Sequence, residues 1–139
     1  MQTSARNQIV GIVADVIYGE VNASVVIKPD GGENIVSTIS KSSVEKLAIS
    51  LGDKVTAIIK ASNVILSTTS DLSISARNKI SGKIVHIKDG AVNCDVEIDI
   101  GSSNILASVI TVDSKNRLGL DVGQRITAII KSSDVIIGK

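Results

Sequence analysis

The feature that most constrains this chain is that it is written twice. Residues 4–7 read SARN, and residues 75–78 read SARN again. The same displacement of 71 positions carries Gly11 onto Gly82, Gly19 onto Gly90, Ser37 onto Ser108, Leu47 onto Leu118 and Gly52 onto Gly123. It ends by matching TAIIKASNVI to TAIIKSSDVI. Roughly a third of the aligned positions are identical and no gap is needed, which marks a tandem duplication of a unit of about 65 to 70 residues. Whatever one copy folds into, the other must also form. A chain of 139 residues is then expected to hold two small domains, over 1–67 and 74–139. The polar run STTSDL between the copies places a linker over 68–73.

Within each copy the pattern is that of strands. QIVGIVADVIYG alternates with period two and turns at Gly19-Glu20; VNASVVIK follows, and PDGGEN is a strong hairpin turn. NIVSTIS reads as a third strand. SSVEKLAIS places Val44, Leu47 and Ala48 at helical spacing, which predicts one short helix. DKVTAIIKA and NVILS supply the last two strands. Composition agrees: the chain has no Trp or Phe, and Tyr18 is its only aromatic, so the core must be built from small aliphatic side chains. β-Branched residues suit a pleated surface. The expected fold class is all-β: tandem five-stranded barrels of the oligonucleotide/oligosaccharide-binding (OB) type, each with one short helix. Closing the sheet removes its exposed edges.

The inventory for catalysis is thin. His86 is the only histidine, and Asp15 stands in its place in the first copy. Cys94 is the only cysteine, so no disulfide can form within the chain, and a small buried hydrophobe is the expected role. No cluster of Cys and His offers cation ligands, and no nucleotide-binding or nucleophile-elbow fingerprint is present. The acids are scattered, so general acid–base chemistry is unsupported and a non-enzymatic role is expected. The net charge of +1, with acids and bases interspersed, argues against a duplex nucleic-acid surface. A single aromatic is too few for base stacking. No apolar run reaches spanning length, and the start of the chain lacks a basic-then-apolar leader, so no membrane role and a cytoplasmic location are expected.

Hydrogen-bond donors, by contrast, are repeated. Each copy has Ser and Arg in SARN (Ser4 and Arg6; Ser75 and Arg77) and Lys with Ser in KASN or KSSD (Lys60 and Ser62; Lys131 and Ser133). Each also has a hydroxyl pair three residues apart at the start of the predicted helix, Ser40 with Ser43 and Thr111 with Ser114. With the free N–H groups of a helix start, this set suits an oxyanion. A dianion taken out of water needs both neutralising charge and many donors. The same residues also have structural readings: Ser and Thr before a helix are ordinary N-caps, SARN can be a turn, and Lys can be a solvated strand end. The residues alone leave both readings open.

SARN, GEVNASV with GAVNCDV, and TAIIKASNVIL with TAIIKSSDVII resemble the Mop family of molybdate-binding proteins, the molbindins, in their two-domain form. The resemblance covers essentially the whole chain. It implies Mop/TOBE-type barrels, a homotrimer of two-domain chains, and molybdate or tungstate as the ligand, bound without a cofactor at domain interfaces. It implies one half-site of Ser4, Arg6, Lys60, the Ala61 backbone and Ser62. The duplicate is Ser75, Arg77, Lys131, the Ser132 backbone and Ser133. The complementary halves are Ser40 with Ser43 and Thr111 with Ser114. A secondary oxyanion site is implied near Val21-Asn22 and Val92-Asn93, where shaping a turn is an equal alternative. Two departures from the family pattern stand out. Ser40 replaces a Thr, and Asp113 lies beside Ser114 and is expected to point outward. The expected function is intracellular oxyanion binding, storage and homeostasis. The alternative is a sensing module acting through a partner protein, since the chain shows neither a DNA-reading helix pair nor a P-loop.

Overall fold

The computed structural model describes residues 1–139. In the first copy the alternating segments form β1 (Asn7–Tyr18), β2 (Asn22–Pro29) and β3 (Ile35–Ser40), then α1 (Lys41–Lys46), β4 (Lys54–Ile59) and β5 (Ile65–Ser67). The second copy repeats them as β6 (Asn78–Asp89), β7 (Asn93–Asp99), β8 (Ile105–Thr111), α2 (Val112–Leu118), β9 (Arg125–Ile130) and β10 (Val135–Gly138). Every strand falls where the periodicity puts it, and each copy has its one short helix; α1 is shorter than the SSVEKLAIS pattern implies, because Leu47 is already its C-cap and Ala48 turns left-handed at φ 49°. Short 3-10 turns at Ala61–Asn63 and Ser132–Asp134 separate the last two strands of each copy.

The long first strand makes the sheet curl. β1 pairs with β4 through residues 7–12 and with β2 through residues 11–18, and its register breaks between Val13 and Asp15. β6 breaks at the matching place, between Ile84 and His86. A bulge increases local twist, and twist with strand tilt drives a five-stranded sheet toward closure. Gly11 marks a point of close approach on β1: a Cβ there would lie 2.7 Å from the Lys28 carbonyl oxygen and from Ile27 Cγ2.

The barrels and the sequence copies divide the chain differently. The strand orders are β10-β4-β1-β2-β3 and β5-β9-β6-β7-β8. Each barrel therefore takes its fifth strand from the other copy. β10 pairs with β4 in the register Val135↔Ile59 to Gly138↔Thr56, and β5 pairs with β9 in the register Ile65↔Ile129 to Ser67↔Thr127. The exchange is symmetric, since Ile136↔Ile58 and Ile65↔Ile129 are related by the repeat offset. Ser37 Oγ then donates to the Val135 carbonyl, drawing β3 and β10 together, and Ser108 Oγ donates to the Val64 carbonyl at 2.7 Å. Both serines are fully buried, and this bonding accounts for them. One continuous cluster of buried Ile, Val, Leu and Ala side chains runs through both barrels, with Cys94 inside it.

The Asn that ends each SARN staples the barrels to one another. Asn7 Nδ2 donates to the Ala107 carbonyl at 2.8 Å, and Asn7 Oδ1 accepts from the Ala107 N–H at 2.7 Å. Asn78 does the same with both backbone groups of Val36, each at 2.8 Å. The side-chain amide thus acts as one more residue of strand along the edge of β8 or β3. Asn7 and Asn78 are almost fully buried. Removing the amide leaves a backbone donor and a backbone acceptor unpaired, at roughly 1–3 kcal/mol for a buried group. Asn7→Ala should cost about 2–4 kcal/mol in a denaturant titration, and Asn78→Ala less, because Val36 is only part-buried. A loss below about 0.5 kcal/mol for Asn7→Ala would show that the staple contributes nothing net.

Two partly exposed ion pairs set a small acid dependence. Lys139 lies 3.0 Å from Asp53, and Lys115 lies 2.8 Å from Asp89. Hydrogen bonds from these lysines are the largest cause holding both carboxyls below their ordinary value of 3.8. Their contribution is present above the unfolded value and is lost as pH falls through the lowered one. Lys115 is raised above 10.5 by the same bond, so its share persists through neutral pH and fades only as pH rises through that raised value. Asp53→Asn should therefore lower stability slightly at pH 7, change it little in strong acid, and so shrink the fall seen as pH drops below about 4, as read from thermal melts.

Candidate functional site

Antiparallel pairing builds the site. Asn7 lies opposite Ile59, so the residues before Asn7 and those after Ile59 leave the sheet side by side. Asn78 lies opposite Ile130, with the same result. The SAR and K-x-S segments, more than 50 positions apart in each copy, are thereby forced together. Ser4, Ala5, Arg6, Lys60, Ala61 and Ser62 line one cleft of ≈ 460 Å³, closed on its apolar side by Ile58, Val109 and Ile136. Ser75, Ala76, Arg77, Lys131, Ser132 and Ser133 line its duplicate of ≈ 310 Å³, against Ile65, Ile74 and Ile129. Lys60 and Lys131 directly precede the 3-10 turns, whose first N–H groups have no partner inside the turn. Each cleft thus gathers two cations, hydroxyls and backbone donors over an apolar floor.

The guanidinium groups differ in their partners. Arg6 Nη1 is 3.2 Å from Asp95 Oδ1, and its Nη2 is 3.9 Å from Glu97 Oε1. Arg77 Nη1 instead donates to Ser24 Oγ at 2.6 Å. In both cases the partner lies on the second strand of the other copy.

Both hydroxyl pairs are N-caps. Ser40 Oγ accepts from the Ser43 N–H at 3.0 Å and lies 2.8 Å from Ser43 Oγ. Thr111 Oγ1 accepts from the Ser114 N–H at 3.0 Å and donates to Ser114 Oγ at 2.8 Å. The cap uses lone pairs, which leaves a hydroxyl proton for another acceptor. Thr111 and Ser114 share a cleft of ≈ 280 Å³ with Ser62, Val109 and Arg117, so a K-x-S serine of the first copy and the hydroxyl pair of the second face one space. On the opposite side Thr38 Oγ1 and Ser132 Oγ are 2.7 Å apart. Asp113 is exposed, as expected.

Val21, Asn22, Val92 and Asn93 line neither arginine cleft. They shape the turn after the first strand: the Gly19 N–H donates to the Asn22 carbonyl at 2.8 Å and the Gly90 N–H to the Asn93 carbonyl at 2.7 Å. The Val21 and Val92 carbonyls accept from the N–H groups of Lys41 and Val112, each at 2.8 Å. These turns adjoin the hydroxyl pairs, because Asn22 lies opposite Ser40 and Asn93 opposite Thr111.

Six residues near the clefts escape a sequence reading. Asn7 and Asn78 carried a signal, an amide repeated at the head of an apolar strand. Arg117 Nη2 is 3.5 Å from Ser114 Oγ, and its counterpart Lys46 marks that position as cationic in both copies. Thr38, Asp95 and Glu97 carry no repeated signal, because Val109, Ser24 and Val26 stand at the matching positions. His86 is exposed and Cys94 is buried, with its thiol pushed up chiefly by that burial.

These observations define the class: a pair of strand-exchanged, OB-type barrels carrying a duplicated cluster of cationic and hydroxyl donors. The chain belongs to the TOBE domain family, whose model matches residues 3–66 and again residues 74–137. It is 39% identical over 137 residues to the molybdenum transport protein ModE of Azotobacter vinelandii, covering 99% of this chain and 51% of that protein. It is 44% identical over 66 residues to molybdenum-pterin-binding protein 1 of Clostridium pasteurianum, covering 48% of this chain and 97% of that one. The chain thus spans about half the length of the relatives that match it from end to end, and one copy spans nearly all of the small one. Among solved structures, the cytoplasmic molybdate-binding protein ModG with molybdate bound superposes with a TM-score of 0.95 at 36% identity, over 99% of both chains. No helix is long and apolar enough to cross a membrane.

Proposed function

We propose that this chain binds molybdate or tungstate reversibly and without chemical change, as an intracellular store that buffers the free oxyanion. The observation that carries this reading is the gathering, twice over, of a Ser-x-Arg segment and a Lys-x-Ser segment into one cleft. Arg and Lys neutralise a doubly charged tetrahedral ion, while hydroxyl and backbone donors replace its water shell. Charge-assisted bonds of this kind are about twice as strong as neutral ones. The hydroxyl pairs Ser40–Ser43 and Thr111–Ser114 complete the shell from a neighbouring barrel, and the Val21-Asn22 and Val92-Asn93 turns form a secondary, weaker contact.

The chain acts as a homotrimer of two-domain chains, with the exposed apolar side chains Val10, Ile12, Ile17 and Tyr18 as candidates for burial between copies. A cytoplasmic location rests on the likeness to ModG. Nucleic acid and membrane are not partners in this reading, and no cofactor or enzymatic step enters it.

Equilibrium dialysis against molybdate, tungstate, sulfate and phosphate, read by elemental analysis, is the test. Molybdate and tungstate should be retained at least about tenfold more tightly than sulfate, a difference of about 1.4 kcal/mol. Sulfate bound as well as molybdate would overturn the assignment.

A further inference from the structure

The two donor clefts carry the same Ser, Arg and Lys set, with Ser132 in place of Ala61, but their surroundings differ. β7 presents Asp95 and Glu97 on one face, with Cys94, Val96 and Ile98 buried on the other. That outward face is turned to the SAR segment of the first copy, which is why Arg6 reaches both carboxylates. At the matching positions β2 carries Ser24 and Val26, and Arg77 finds only the Ser24 hydroxyl.

We infer that Asp95 and Glu97 act as fixed anionic competitors for the Arg6 guanidinium, so that the cleft holding Arg77 takes up an oxyanion first and the cleft holding Arg6 second. The inference rests on the oxyanion-binding reading above and adds an order of filling to it. An ion arriving at Arg6 must displace two carboxylates and then remain near their charge. At Arg77 it displaces a single hydroxyl, which can turn and donate to the newcomer. Arg6, Asp95 and Glu97 are 40%, 42% and 37% exposed, so water screens the competition. Exposed pairs are individually weak, so two of them are expected to give a difference in affinity of roughly three- to tenfold. The difference should shrink as salt rises, because these charges are open to counterions.

The test isolates one cleft at a time. Arg6→Ala leaves the Arg77 cleft intact, and Arg77→Ala leaves the Arg6 cleft. In calorimetric titration with molybdate at low ionic strength, the Arg6→Ala protein should bind roughly three- to tenfold more tightly than the Arg77→Ala protein. Adding Asp95→Ser and Glu97→Val to the Arg77→Ala protein, which installs the residues of the first copy, should close that gap. Adding Ser24→Asp and Val26→Glu to the Arg6→Ala protein should weaken it by a similar factor. Should the Ser/Val pair lower the melting temperature, Asp95→Asn with Glu97→Gln removes the charge and keeps the shape. Equal affinities for the two arginine variants, or weaker binding once the carboxylates are gone, would overturn the inference while leaving the binding function standing. No molybdate uptake by the unaltered protein would remove both.

Discussion

Deleting residues 135–139 should unfold the barrel built from the first sequence copy, although every deleted residue belongs to the second. β10 is the fifth strand of that barrel. It lies along β4 through four register pairs and buries Val135 and Ile137. Full burial of such side chains is worth about 1.5–3 kcal/mol each. The deletion also strips β4 of a neighbour and removes the carbonyl that accepts from buried Ser37. A loss of about 5 kcal/mol or more follows, comparable to the whole stability of many domains. Hydrogen exchange should show β1 to β4 losing protection, while β6 to β9, completed by β5, keep theirs. If the second copy lost protection and the first did not, each barrel would be closed by its own last strand, contrary to the topology described.

The second large effect concerns the ligand. Lys60 and Lys131 are exposed at the ends of β4 and β9, and each lies in a cleft with an arginine. Replacing both with Ala removes one cation from every cleft and disturbs no buried contact. A charge-assisted bond to an ion contributes about 2–3 kcal/mol, which predicts a roughly 30- to 150-fold loss of molybdate affinity. The melting temperature of the ligand-free protein should be unchanged within a degree or two of roughly zero shift. Lys→Arg at the same positions keeps the charge but replaces a compact ammonium by a wide planar fork, so it should recover only part of the affinity. Full affinity in the double Ala variant would show that the lysines face solvent rather than the ion.

The strands were legible because a half-buried sheet imposes period two on Val and Ile, and duplication supplied every pattern twice. The donor segments were legible for the same reason: Ser4, Arg6, Lys60 and Ser62 recur at the repeat offset, and antiparallel register does the rest. The exchange of the fifth strands was not. NVIL and DVII are nearly the same strand, so periodicity says that each is a strand and nothing about which β4-like edge it joins. The pairing is decided by a tertiary choice between two almost equal docking sites. The hydroxyl pairs were legible as residues but ambiguous in role, and the bonding resolves them as caps with a proton to spare. Arg6 against Asp95 could not be read at all. The two lie 89 positions apart in sequence, and the counterpart of Asp95 in the first copy is Ser24.

SARN is kept twice because its last residue staples one barrel to the other while its first and third line a cleft. The most direct test of that division is a crystal of this protein soaked in molybdate, with the metal located by its anomalous scattering. Peaks are expected in the clefts, with oxygens in hydrogen-bond reach of Lys60 or Lys131 and of the neighbouring Ser and Arg side chains. Peaks elsewhere, with Arg6, Arg77, Lys60 and Lys131 all turned to bulk water, would contradict that division.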